Sequence, residues 1–272
     1  MTLEFYDKSR ILLQSSFFIC VRPHPALKRY IASYNITLPT ENTMPAGFTV
    51  LPSGCATITI TNDGNRLYLD LEGPTAKPHI SDIADKLPQM LITLEFKPAG
   101  LFEINTISQN QLADEIFGLD TVNSKLCKLI KESVEKSTTL HQLVDNLDAA
   151  LLGNLKAVRH PNIGHILQNI FDSKGSISVK SLSESSHYSQ RQINRILQQH
   201  VGVGTKPFLR LVRINKALHL LKKPQNDLSW ASDMLGFHDL SHFINDFKSI
   251  CGTTPEEYRK NMSDFYNNPI RF

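Results

Sequence analysis

The chain has 272 residues, 41% hydrophobic and 20% charged, with 29 Lys and Arg against 26 Asp and Glu for a net charge of +3. This length favours two domains, and the composition is that of a folded soluble chain rather than a disordered or fibrous one. Cys20, Cys55, Cys127 and Cys251 are scattered with no CxxC pair, which argues against a zinc site or a disulfide framework and fits a reducing cytoplasm.

Residues 1–100 read as β-rich. Phe17 to Val21 is a short strand, and Pro25 to Tyr34 reads as a helical turn or a strand. Ala56 to Thr61 and Arg66 to Leu71 alternate apolar and polar residues around Asn62-Asp63-Gly64-Asn65, the signature of a hairpin. Gly73-Pro74 and Lys77-Pro78 punctuate the next stretch, and Leu91 to Phe96 is another strand. Short strands with turns predict a small antiparallel barrel or sandwich.

Beyond Leu101 the pattern becomes helical. Gln111 to Phe117 reads as a short helix ending at Gly118. Asn123 to Val134 and Leu140 to Leu152 carry apolar residues at helical spacing. This pair could form a dimer interface or close the core of the β-rich region. Gly153 to Pro161 is the best linker, and Pro161 opens a helix with Ile163, Ile166, Leu167 and Ile170 on one face.

Between Ile177 and Arg259 one helical unit occurs twice. Ser183 and Ser232 lie 49 residues apart, whereas Ile193 and Phe243, Leu197 and Phe247, Gly202 and Gly252, and Phe208 and Tyr258 are each separated by 50. Each copy has a small residue, a short polar turn, a good N-cap (Ser189 or Asp239) and a helix with apolar residues four apart. These are the features of a helix-turn-helix. The polar face of the first copy offers Gln190, Arg191, Asn194, Arg195 and Gln198, side chains suited to base edges and phosphates. The helix from Pro207 to Lys223 joins the copies and sets their spacing, so that both could enter major-groove segments about 34 Å apart. From Ser185 through Asn226 there is no Asp or Glu, but there are eight Lys and Arg, a local positive excess that suits phosphate binding.

Gly236-Phe237, Asp239-x-Ser241-His242-Phe243, Phe247-Lys248 and Gly252-x-Thr254-Pro255-x-x-Tyr258-Arg259 closely resemble the signature of the AraC/XylS family of bacterial transcription regulators. The first copy fits through Tyr188-Ser189, Arg195, Gly202 and the stretch from Arg213 to Leu221. The resemblance covers about the last hundred residues. A weaker one, at Phe96 to Phe102, implies a cupin-like effector-binding barrel in the N-terminal part. There are departures. Family members usually have Ala where Ser183 and Ser232 stand and an aliphatic residue where Ala231 stands, and the second recognition helix is poor in base-reading side chains, with acidic Asp246 nearby.

The expected fold is therefore α+β. A β-rich sensor or dimerisation domain with trailing helices occupies 1–155, and an all-α DNA-binding domain occupies 160–262, with helix-turn-helix units at about 177–202 and 228–252. Expected DNA-contacting residues are Ser189, Gln190, Arg191, Asn194, Arg195 and Lys206 in the first unit, and Leu240, Ser241, His242, Asn245 and Lys248 in the second. Duplex DNA is the expected partner, with RNA polymerase, a small effector and a second copy of the chain as open candidates; no cofactor or membrane is expected. Activation and repression stay open.

Competing readings are weak. His24 and His79 lie in the β-rich part without a His-x-His, and Asp82, Asp85, Glu95 and Glu103 show no pairing. Nucleophile motifs such as Gly-x-Ser-x-Gly are absent. The N-terminus lacks a basic segment followed by an apolar run, and no apolar stretch approaches the roughly 18 residues of a membrane span; a cytoplasmic location is expected. Two alternatives remain: an enzyme-like N-terminal barrel tethered to DNA, and a module whose doubled unit binds protein.

Overall fold

The computed structural model describes residues 2–40, 48–81, 87–155, 161–223 and 225–260, without the side chains of 48–50, 79–81 and 161–162. Asp82, Asp85, the side chain of His79 and most of the expected linker, from Lys156 to His160, lie outside the described residues.

The N-terminal part is built on strands β1 (Ile11–Gln14), β2 (Phe18–Val21), β3 (Ile31–Thr37), β4 (Phe48–Val50), β5 (Thr57–Asn62), β6 (Leu67–Glu72), β7 (His79–Ser81), β8 (Met90–Phe96) and β9 (Ile116–Gly118). Seven of these form an antiparallel sheet in the order β1-β2-β3-β8-β5-β6-β9, and β4 pairs with β7 separately. Among the described residues β1 and β9 are the edges of the large sheet, and no pairing joins them. The expected hairpin is present, with Ile58 opposite Leu71 and Ile60 opposite Leu69. Its turn carries Gly64 at φ +96°, and the Asp63 carboxylate accepts the N–H groups of Asn65 and Arg66 at 2.8 and 2.7 Å.

The expected helix over Gln111 to Phe117 is not formed. A single 3-10 turn covers Gln109–Gln111, and Ile116–Gly118 is β9, paired with β6 so that Phe117 lies opposite Leu71. The physical reason is tertiary: an open strand edge on β6 offers hydrogen bonds that a short, uncapped helix cannot match. Pro25 to Tyr34 resolves into a 3-10 turn (Pro25–Leu27), whose start is capped by His24 Nδ1, followed by β3.

Three helices follow: α1 (Gly100–Asn105), α2 (Leu119–Lys136) and α3 (Leu140–Leu152). α2 is kinked at Asn123, at φ −152°, whose side-chain oxygen accepts the Leu126 N–H at 3.0 Å and so caps the helix's second half. Leu126, Ile130, Val134, Leu143, Val144, Leu147 and Leu151 are all buried in one cluster with the sheet residues Ile58, Ile60, Leu71, Ile92 and Leu94. The two apolar stripes therefore close this region's own core. Asp148 of α3, buried, ties the helix to the sheet by accepting from Arg10 Nη2 at 2.6 Å, Tyr34 Oη at 2.8 Å and the His24 N–H at 2.9 Å.

The remaining elements are α4 (Pro161–Asp172), α5 (Val179–Ser186), α6 (Gln190–Val201), α7 (Thr205–Leu221), α8 (Leu228–Met234), α9 (Leu240–Cys251) and α10 (Pro255–Lys260). Their apolar faces form a second cluster that includes Ile193, Leu197, Phe208, Phe243, Phe247, Cys251 and Tyr258. Cys251, one of the four scattered cysteines, is a core residue there. Each fully buried Phe contributes roughly 1.5–3 kcal/mol through the area it removes from water. Leu51, Ala76 and Ala99 of the N-terminal part also pack into this cluster. Among the described residues, no helix is long and apolar enough to cross a membrane.

Candidate nucleic-acid interface

Two helix-turn-helix units emerge from the duplicated sequence: α5 with α6, and α8 with α9. The N-terminus of α6 is held by a capping box, in which Ser189 Oγ accepts the Gln192 N–H at 3.2 Å and Gln192 Oε1 accepts the Ser189 N–H at 2.9 Å. At α9 the Asp239 carboxylate accepts the His242 N–H at 2.7 Å, and its other oxygen lies 2.9 Å from His238 Nδ1. These contacts hold the Asp239 carboxyl below its ordinary pKa, the backbone hydrogen bond being the largest cause. Both helices end on a left-handed glycine, Gly202 at φ +93° and Gly252 at φ +74°, as a side-chain-free C-cap allows.

Ser183 and Ser232, the small residues of the two units, have matching roles. Ser183 Oγ donates to the Tyr188 carbonyl and Ser232 Oγ to the Asp239 carbonyl. Each hydroxyl ties the first helix of its unit to the turn leading into the second, and so fixes the angle between them.

Gln190, Arg191 and Arg195 are exposed on α6, as are Ser189 at its cap and Lys206 on α7. Among the described residues Arg191, Arg195 and Lys206 have no ion pair. The opposite face of α6 buries Ile193, Ile196, Leu197 and Val201. Asn194 is placed differently. It is half-buried, and its Oδ1 accepts the Thr205 N–H at 3.0 Å. Gly204, the N-cap of α7, has no side chain to satisfy that end, so Asn194 does so from the neighbouring helix. Its acceptor is spent on architecture, a use the sequence pattern did not signal.

On α9, Ser241, His242, Asn245 and Lys248 are exposed and Leu240 is half-buried. The His242 ring stands edge-on to Phe237 at 5.4 Å between centroids, which orients it at the helix start. Asp246 is a brace rather than a free acid, because Arg210 of α7 grips it. Arg213 likewise turns inward, donating to the Gly175 carbonyl at 3.1 Å and lying 4.8 Å from the Phe237 ring centre. The basic stretch read from the sequence thus divides: Arg191, Arg195 and Lys206 face outward, whereas Arg210 and Arg213 hold the two units together.

The N-terminal part docks against the first unit. Phe102 of α1 lies against the His200 ring, 4.1 Å between centroids, with both residues buried. Gly202 is covered by Pro74 and the Gln109 carbonyl, and Gly54 sits against Leu211 and Phe208 of α7. None of these contacts touches the outward face of α6. Among the described residues no group of three or more His, Cys, Asp or Glu could hold a metal ion.

Residues 182–261 match the family model described as a helix-turn-helix domain. An uncharacterised HTH-type transcriptional regulator of Bacillus subtilis, YisR, is 33% identical over 90 residues, 33% of this chain and 31% of that protein. The HTH-type transcriptional regulator MtrA of Neisseria gonorrhoeae is 27% identical over 184 residues, 66% of this chain and 58% of that protein. The chain thus aligns with between about a third and three-fifths of these relatives' lengths. Among solved structures, an apo ToxT variant from Vibrio cholerae is 13% identical with a TM-score of 0.42, covering 80% of this chain and 89% of that one.

Proposed function

The C-terminal region of this chain is an AraC-type helix-turn-helix domain, and from that premise we propose that the protein is a sequence-specific DNA-binding regulator of transcription. Residues 160–262 are its DNA-binding part, and residues 1–155 sense a small effector or join two copies. Phosphate contacts through Lys206, Lys248, Ser189 and the helix N-termini set register, and base reading falls mostly to Gln190, Arg191 and Arg195. α9 contributes Leu240, Ser241, His242 and Asn245, with apolar contact to thymine methyls where side-chain donors are few. RNA polymerase is a further partner on this reading.

One observation carries it. Two capped helices on a shared core present outward faces, and on the first the cations Arg191 and Arg195 are exposed with no acidic partner among the described residues. A merely solvated helix face needs neither the second unit nor the joining helix.

Selection of bound sites from random duplex DNA with the full-length protein tests the reading. An enriched site, bound with an affinity that falls steeply as salt rises, is expected. Absence of any enriched sequence, together with salt-insensitive binding, would instead favour a protein-binding module.

A further inference from the structure

Residues 73–78 connect β6 to β7, and on the way they meet both helix-turn-helix units at the same place in the repeat. Pro74 covers Gly202, where an added Cβ would lie 2.4 Å from Pro74 Cγ. Pro78 faces Gly252, where an added Cβ would lie 3.7 Å from Pro78 Cγ. These two glycines occupy equivalent positions, each closing the second helix of its unit in a left-handed turn. Between the prolines, Ala76 packs against the C-terminal core.

The segment is anchored to the N-terminal part along its length. The Gly73 N–H donates to the Glu115 carbonyl at 2.9 Å, the Asp114 N–H to the Pro74 carbonyl at 3.2 Å, and the Gly54 N–H to the Thr75 carbonyl at 3.1 Å. Thr75 Oγ1 donates to Asp114 Oδ1 at 2.7 Å and accepts the Lys77 N–H at 3.1 Å. Proline locks its own φ near about −65°, so the backbone is stiffened at both points of contact.

Reading two groove segments about 34 Å apart demands that the two reading helices keep a set separation and angle. Supporting residues must hold such a site to within about 0.5 Å. α7 and the Arg210–Asp246 pair join the units from within the C-terminal part. A second link from outside it removes freedom that one joint leaves. We propose that residues 73–78 are a positioning strap, in which Pro74 and Pro78 hold the C-terminal ends of α6 and α9 at the spacing the DNA site requires. The prolines act through the glycines they meet, not on DNA. This inference rests on reading the two units as DNA-binding and adds a spacing-determining element from the N-terminal part.

Pro78→Gly in the full-length protein tests it, by removing the ring that faces Gly252 and freeing the backbone there. Spin labels on Gln199→Cys of α6 and Asn245→Cys of α9, both exposed positions, report the separation without DNA. Cys127→Ser removes the half-buried native thiol from this labelled parent. The distance distribution should be narrow in the parent and broader in Pro78→Gly. The unlabelled proteins are then titrated with a selected DNA site and with a version carrying one extra base pair between its two contacted segments, a shift of about 3.4 Å. Wild type should prefer the original spacing at least about tenfold, on the order of one lost base contact. Pro78→Gly should shrink that preference at least about threefold. A loop that merely stabilised the fold would lower the melting midpoint and move neither readout. Pro78→Ala trims the ring but keeps a side chain; it should move both readouts less, in the same direction, and it serves if the glycine variant does not fold. An unchanged distance distribution overturns the proposal whether or not a DNA site is found. A broadened distribution with an unchanged spacing preference overturns the role in DNA reading. A broadened distribution with no selectable site upholds the strap and overturns the regulator reading alone.

Discussion

Arg210 on α7 grips Asp246 on α9 with two nitrogens: Nη2 donates to Oδ1 at 2.8 Å, and Nε lies 3.2 and 3.3 Å from the two carboxylate oxygens. Nη2 also donates to Ser249 Oγ at 2.8 Å. An acid that looked hostile to DNA from the sequence is thus neutralised by the helix joining the two units, and it locks α9 against that helix.

Asp246→Ala should therefore cost stability, though only roughly 0.5–1 kcal/mol, because the Arg210 side chain is 45% exposed and solvent screens the pair. Its effect on recognition should be larger. Affinity for random DNA is expected to hold or rise with the freed positive charge, while affinity for the selected site falls as α9 loses its tether. Titration of both DNAs checks this; an unchanged ratio of the two affinities would show that the brace does not position α9.

Arg195 and Asn194 are neighbours in sequence with opposite fates. Arg195→Ala should lose about 1–3 kcal/mol of binding, concentrated at one base pair of the site. Asn194→Ala should lose about 1 kcal/mol of folding stability by uncapping α7. Its effect on DNA should be spread over all positions. Melting curves and single-base variants of the site distinguish the two; a base-specific defect in Asn194→Ala would return that residue to the reading face.

Gly202→Ala probes the dock between the N-terminal part and the first unit. A Cβ there would lie 2.4 Å from Pro74 Cγ and 3.1 Å from the Gln109 carbonyl, at a φ of +93°. A loss of about 1–3 kcal/mol is expected, together with faster proteolysis between residues 155 and 161. Gly252→Ala has a similar φ, with Pro78 Cγ at 3.7 Å as its nearest neighbour. It should cost backbone strain alone and leave the proteolysis rate at wild-type level.

His219 gives the protein an acid-side weakness. Burial, and then Lys222 and Lys216, lower its pKa from 6.5 to about 4. Between those values the unfolded chain binds a proton that the folded one refuses. Its contribution to stability is therefore complete above about pH 6.5 and fades as the pH falls toward 4. Denaturant unfolding across that range should show the decline, and His219→Gln should make it shallower. Equal slopes for the two proteins would place the titration elsewhere.

The helices of the C-terminal part were legible because their apolar residues recur at one helical period, their caps are local, and the unit occurs twice. Ser189 with Gln192, and Gly202 with Gly252, are signals a few residues wide. The exposure of Arg191 and Arg195 follows from the same periodicity, since Ile193 and Leu197 fix which face is buried. In the β-rich part, the hairpin from Thr57 to Glu72 announced itself through alternation around Asp63-Gly64.

What the chain could not announce by itself depends on partners distant in sequence. Residues Ile116–Gly118 become a strand because β6 presents a free edge, and the α2–α3 stripes become core because the sheet covers them. Asn194 Oδ1 turns to the Thr205 N–H because Gly204 cannot cap α7, and Arg210 is paired because Asp246 meets it from 36 residues away. Alternation told which strand residues share a face; only the assembled sheet decided that Ser33, Asn35 and Glu95, on its polar face, would be buried. Periodicity and capping are properties of neighbouring residues, so the sequence carries them outright. Charge pairing and burial are settled only when the folded chain brings remote segments together.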